Sequence, residues 1–131
     1  MKVANINDVE AKPVDMNGAE GCTVRWMLGR QDGAPNFTMR HFEVVPGGFT
    51  PRHHHPYEHE VYVLEGNGVV YENDQPHSLK AGDVVLVRPD EVHQFCNTGS
   101  TTMKFICLIP NFAADKKMSV APECGAEATV R

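Results

Sequence analysis

An all-β sandwich or barrel in a single domain is the fold this chain predicts, and three observations carry that expectation. Runs rich in β-branched and aromatic residues recur at intervals of about eight to twelve positions. Clusters of Gly, Pro, Asn and Asp separate them, and no apolar helical period persists for the length of a real helix. At 131 residues the chain has single-domain size. Such a chain buries about two thirds of its unfolded surface, so folding needs no disulfide or structural metal.

Residues 1–21 mix charge, Asn and Gly with little periodicity and read as an N-terminal arm with a packing role. Residues 22–110 are the expected barrel. Cys22 to Leu28 is its first strand, ended by Gly29 and a polar loop to Pro35. Asn36 to Val45 follows, with Arg40, Phe42 and Val44 on the inner face and His41 and Glu43 on the solvent side. Pro46-Gly47-Gly48 reads as a turn. His59 to Leu64 is a strand, Glu65 to Gly68 a hairpin turn, and Val69 to Glu72 the return strand. Asn73 to Pro76 turns the chain into a short strand at His77 to Leu79. Val84 to Val87 is apolar throughout, as expected of a strand covered on both faces. His93 to Cys96 and Met103 to Ile109 complete the set, the latter with Met103, Phe105 and Cys107 turned inward because Lys104 marks the outer face. Residues 111–131 form a C-terminal tail of weak periodicity, read as a short helix, a packed arm or a partly disordered end.

Composition narrows the function. The formal net charge is −5 and the basic residues are scattered rather than striped, which argues against a nucleic-acid partner. No apolar run approaches a membrane span and the first residues lack an apolar signal core, so a cytoplasmic protein is expected. Cys22, Cys96, Cys107 and Cys124 lie far apart without metal-binding spacing and read as reduced thiols.

The chemistry gathers in His53-His54-His55-Pro56-Tyr57-Glu58-His59, which holds four of the seven histidines. On an extended chain side chains alternate, so His53, His55 and His59 share a face and His54 takes the other. Three imidazoles on one face suggest a metal site, with His93 as the candidate fourth ligand. His41 and His77 read as surface residues.

These residues resemble the cupin family. From Gly47, five residues lead to His53, His53-x-His55 follows, three more reach His59, and six more reach Gly66. That is the spacing of the family's first motif (residues 47–66), except that His59 stands where a glutamate is usual. Glu60 is the neighbouring rival, and parity and the downstream count favour His59. The second motif (residues 82–97) runs from Gly82 through His93 to Asn97, with Arg88 in the usual proline slot and Asp90 in the second-glycine slot. The resemblance covers residues 36–110 and implies a cupin-type jelly-roll β-barrel, or double-stranded β-helix. Among small single-domain cupins with four histidines it implies one divalent metal, manganese or iron in the first place. Nickel, copper and zinc accept the same donors.

Four neutral ligands leave the metal its full dipositive charge, and a metal preferring six ligands keeps two open positions. The expected activity is therefore that of a metal-dependent oxygenase-type oxidoreductase, a dioxygenase by preference, acting on a small organic molecule. Two alternatives belong to other classes: a non-catalytic small-molecule or metal-binding module, and a sugar isomerase or epimerase. The latter would want an inward acid–base residue, which parity does not supply. Arg40 reads either as a buried ion-pair partner or as the group that orients an anionic part of the substrate. Phe105 is core or pocket wall, and Cys107 a small apolar filler or a redox-sensitive neighbour of the metal. Trp26 and Tyr57 read as structural, Tyr57 near the rim. Apolar outer residues Ile106 and Leu108 suit a homodimer.

Overall fold

The computed structural model describes residues 1–114 and the backbone of 119–120. Within them lie eleven strands and one short α-helix, besides two single-turn 3-10 helices at Ile6–Asp8 and Arg30–Asp32: β1 Lys12–Pro13, β2 Glu20–Leu28, β3 Phe37–Phe49, β4 His53–His54, β5 His59–Glu65, β6 Asn67–Glu72, β7 Gln75–Lys80, β8 Val84–Val87, β9 His93–Cys96, β10 Met103–Pro110, α1 Asn111–Ala114 and β11 Ser119–Val120. No helix among them is long and apolar enough to cross a membrane.

All pairings are antiparallel. One sheet runs β1-β2-β3-β10-β5-β8 and the other β11-β4-β9-β6-β7, joined where Phe49 at the end of β3 meets Cys96 on β9. Two curled sheets that share a strand are the jelly-roll solution to closing β-edges. Their inner faces meet in a core that contains Val44, Val63, Val70, Phe95, Met103 and Phe105. β10 shows the alternation expected: Met103, Phe105, Cys107 and Ile109 are buried, and the residues between them only half so.

Four expectations change. Pro46 to Gly48 does not reverse the chain. β3 runs through them on a wide irregularity, Cys22 facing Val44 while Glu20 faces Phe49, with Gly47 at φ 81°. The strand is thereby bent from the first sheet into the second.

Glu65 to Gly68 is likewise not a hairpin. β5 pairs with β10 and β8, whereas β6 pairs with β7 and β9, so Gly66 carries the chain from one sheet to the other. Gly66 has φ 86°, and a Cβ there would lie 2.8 Å from both Met103 Cα and Thr102 O. Only glycine turns this corner without displacing backbone.

β8 is not covered on both faces. It is an edge strand, and Val84 and Leu86 are 77% and 47% exposed. Its apolar run meets the core only through Val87 and, in part, Val85.

His41 is not on the solvent side in any practical sense, being 4% exposed. It lies between Arg25 and Ile106 across the strands and 4.0 Å from Glu43. Long neighbouring side chains bury what parity assigned to the outside. Loss of water lowers its pKa, an effect that Glu43 partly offsets.

The arm pairs into the first sheet through β1, and β2 begins at Glu20. In the tail, α1 and β11 are described, and Cys124 lies outside the described residues. Cys22, Cys96 and Cys107 are buried free thiols, as the spacing suggested.

Candidate metal centre

Both sheets contribute. His53 on β4 and His93 on β9 face each other in register on the second sheet. His55 follows one residue beyond β4, and His59 opens β5 on the first sheet, opposite Val87. The parity reading holds for side-chain direction: His53, His55 and His59 are buried, His54 is half-buried and Glu60 is exposed.

The structure brings three of the four together. One ring nitrogen from each of His53, His55 and His93 lies within 4.8 Å of the others. His59 falls outside that group. Its ring stacks on His55, with centroids 4.3 Å apart and planes at 15°, and stands 5.2 Å from the His93 ring. The expected four-histidine set is therefore resolved as a close trio with His59 beside it.

The turns around the trio fix its rings. His55 and His93 each donate Nδ1–H to a backbone carbonyl two residues away, of Tyr57 and Glu91 respectively, both at 2.8 Å. Each bond selects the tautomer that leaves Nε2 bare, the usual way a ligating imidazole is aimed. Asp90 stands at φ 67° and its N–H donates to the His55 carbonyl at 2.8 Å, so this aspartate performs the left-handed turn for which the family motif uses glycine. Asn97 donates Nδ2–H to the carbonyls of Val44 and Thr101. The last residue of the second motif is a clasp, not a ligand.

The donor set fits a metal ion. His55, His59 and His93 bury Nε2, and His53 buries Nδ1, without a hydrogen-bond partner among the described residues. An unsatisfied buried polar atom costs about 1–3 kcal/mol, so such a cluster persists where something else satisfies it. The imidazoles are also held neutral. Burial, reinforced by the neighbouring histidines, takes His53 down to about 2. Burial takes His93 to about 4, and it lowers His55 and His59 as well. Neutral imidazole is the form that binds a cation.

His59 is held differently. Its Nδ1 meets the Cys107 sulfur at 3.4 Å, and Cys107 in turn accepts from Arg40 Nη2 at 3.3 Å. Burial raises the Cys107 thiol, and nearby Arg40 pulls it back in part. Arg40 is inward as expected, 4% exposed.

Above the histidines lies a cavity of about 700 Å³, lined by His53, His59 and His93 and by Arg40, Phe105 and Cys107. Phe105 stacks between Phe42 and Phe95, with centroids at 5.2 and 5.0 Å. It is core and pocket wall at once. The sequence reading left four aromatic contributors and the arm out of the pocket. Tyr57 is buried and lies flat on His55 at 4.0 Å and 6°, and Trp26 forms wall beneath the Arg40 guanidinium. Phe42 and Phe95 complete the aromatic layer, and arm residues 12–17 close one side of the cavity. The inward parity of Phe42 was a usable signal; nothing local announced the arm.

A two-sheet jelly roll with buried histidines from both sheets facing an internal cavity defines the class: a small jelly-roll β-barrel carrying a candidate metal-holding histidine cluster. Residues 40–109, over half the chain, match the Cupin_2 family model, described as a cupin domain. The chain belongs to the cupin family.

Among its relatives, Protein SchB of Streptomyces halstedii is 37% identical over 95 residues, 71% of this chain and 69% of that protein. The oxalate-binding protein of Thermotoga maritima is 38% identical over 68 residues, 51% of this chain and 56% of its own length, so the match spans little more than half of that relative. The solved structure of the polyketide cyclase RemF from Streptomyces resistomycificus superposes with a TM-score of 0.80 at 35% identity, covering 84% of this chain and 79% of that one.

Proposed function

We propose that the protein is a metal-dependent enzyme acting on a small oxygen-bearing organic molecule, with His53, His55, His93 and, as the fourth donor, His59 holding one divalent ion. The observation that supports this most strongly is the cluster of buried, neutral, unpartnered imidazole nitrogens beside an aromatic-walled cavity. Bound there, a divalent ion would supply Lewis-acid polarisation of a substrate oxygen and, as manganese or iron, an electron-transfer centre for oxygenase chemistry.

The chain's own residues do the rest. Tyr57 and Glu91 carbonyls lock two of the rings. Phe42, Phe95 and Phe105 keep water from one wall and present a flat apolar surface to the substrate. His59 is the residue through which the Arg40–Cys107 pair reaches the donor set.

Oxygenation remains the reaction type proposed from the ligand set. A second reaction type, intramolecular carbon–carbon bond formation in a polycarbonyl substrate, is favoured by the similarity to the cyclase RemF. An isomerase is less well supported: among the described residues Asp15, on the arm, is the sole carboxylate lining the cavity. The proposal includes a homodimer and a small-molecule substrate as the partners.

Metal analysis of protein purified without added metal tests the centre, with about one ion per chain expected. A protein that holds none and takes up none overturns it. With metal loaded, dioxygen uptake with diketones and phenols, and conversion of a linear polyketone followed by mass spectrometry, separate the two reaction types. Binding without turnover in every assay would establish a non-catalytic module instead.

A further inference from the structure

The structure assigns Arg40 as an anion-binding group in the cavity, and with it a substrate class: a flat, conjugated organic anion, carboxylate, enolate or phenolate. This deepens the metal-enzyme reading and rests on it for the reacting end of the molecule; the anion subsite belongs to the chain with or without an ion.

Arg40 is a buried cation with no ion pair among the described residues. Its guanidinium packs 4.9 Å from the Phe42 ring centroid and 5.4 Å from that of Trp26. One in-plane donor, Nη2, goes to the Cys107 sulfur, a weak acceptor, and Nε is buried without a partner. A guanidinium is a cation with five donors and no acceptor. The ring faces attract the charge, whereas its N–H groups lie in the guanidinium plane and want oxygen there.

Asp15, the one carboxylate among the described residues that line the cavity, makes no ion pair with Arg40. Lys12 and Asp15 are its other charged side chains, both exposed on the arm, and the histidines are neutral. A neutral occupant would leave the guanidinium unpaired in an apolar wall; an anionic one pairs it. The rest of the occupant must suit the stacked Phe42, Phe105 and Phe95, which favours a planar body.

Benzoate and its neutral isostere benzamide are the probes, titrated calorimetrically into metal-free protein at pH 7.5. Benzoate should bind at least tenfold tighter than benzamide. The indole N–H resonance of Trp26, the sole tryptophan, should shift in the same titration. Arg40→Met should abolish the preference and Arg40→Lys should retain part of it. Equal binding of the two probes, no binding of either, or a preference that leaves the Trp26 resonance unmoved overturns the assignment, as does a preference surviving in Arg40→Met. If Arg40→Met does not fold, the native comparison and Arg40→Lys decide. A benzoate preference in protein that takes up no metal would sink the metal reading alone; normal metal uptake with no preference would sink this inference alone.

Discussion

Acidification of the metal-free protein should destabilise it before its carboxylates titrate. Burial depresses His53 from 6.5 to about 2 and His93 from 6.5 to about 4. With the folded pKa below the unfolded one, the unfolded chain binds more protons. Stability is therefore full above the unfolded pKa and is lost as pH falls below 6.5 toward the folded values. At pH 5 the two residues lie about 1.5 units below their unfolded pKa and still above both folded ones, which costs about 2 kcal/mol each at 1.36 kcal/mol per unit. Together they remove about 4 kcal/mol from a domain whose whole stability is about 5–15 kcal/mol. His55, His59 and His41 are shifted in the same direction and add to the loss.

Urea unfolding followed by Trp26 fluorescence, from pH 7.5 to pH 5, reads this directly. With a slope of about 1–3 kcal/mol per molar urea, the midpoint should fall by at least about 1.3 M. In His93→Gln the dependence should flatten by about 1.4 kcal/mol per pH unit between pH 6 and pH 5, one proton fewer. A midpoint that stays level across that range would mean that these imidazoles are not buried neutral in the absence of metal, and the account of the donor set would fail with it.

The remaining predictions concern ligand choice, packing and assembly. His59→Ala should lower metal affinity by more than the roughly 10–100-fold typical of outer-sphere changes, whereas the exposed neighbour Glu60→Ala should leave it unchanged; metal-competition titration compares them, and the opposite ranking would exchange their roles. Phe105→Ala removes a ring that is 2% exposed and stacked on two others, and should cost about 3 kcal/mol in chemical denaturation, the low end for such a change because one side already faces the cavity. Gly66→Ala should cost about 1–3 kcal/mol or abolish folding, since its Cβ would press on Thr102 and Met103 at a φ of 86°; a wild-type urea midpoint would show that the corner can relax. Val84→Lys with Leu86→Lys should convert a dimer to a monomer in light scattering while barely changing unfolding, because both side chains are exposed; a dimer that survives both uses another face.

Alternation along single strands was legible in the sequence because it is a local property of extended backbone. It correctly turned His53, His55, His59, Arg40, Phe105 and Cys107 inward and left His54 and Glu60 facing away from the donors. The spacing from Gly47 to Gly66 and from Gly82 to Asn97 carried the resemblance to the cupin family that implied the jelly-roll barrel, and Gly47, Gly66 and Gly82 do take left-handed backbone conformations that few other residues adopt.

Which strand lies beside which was not local, and only the tertiary structure decided it. Gly66 looked like a hairpin because a glycine corner between sheets and a hairpin share the same residues. β8 looked doubly covered because an apolar run does not reveal that it lies at a sheet edge. His41 was assigned to solvent because parity gives a side, not what the neighbouring strands lay over that side. The same limit governs the metal centre. Parity could align His53, His55 and His59, but His59 belongs to the opposite sheet, and its distance from the trio depends on how far apart the two sheets pack. It is that packing which makes three histidines converge, sets His59 against Cys107 and Arg40, and folds the arm over the cavity they share.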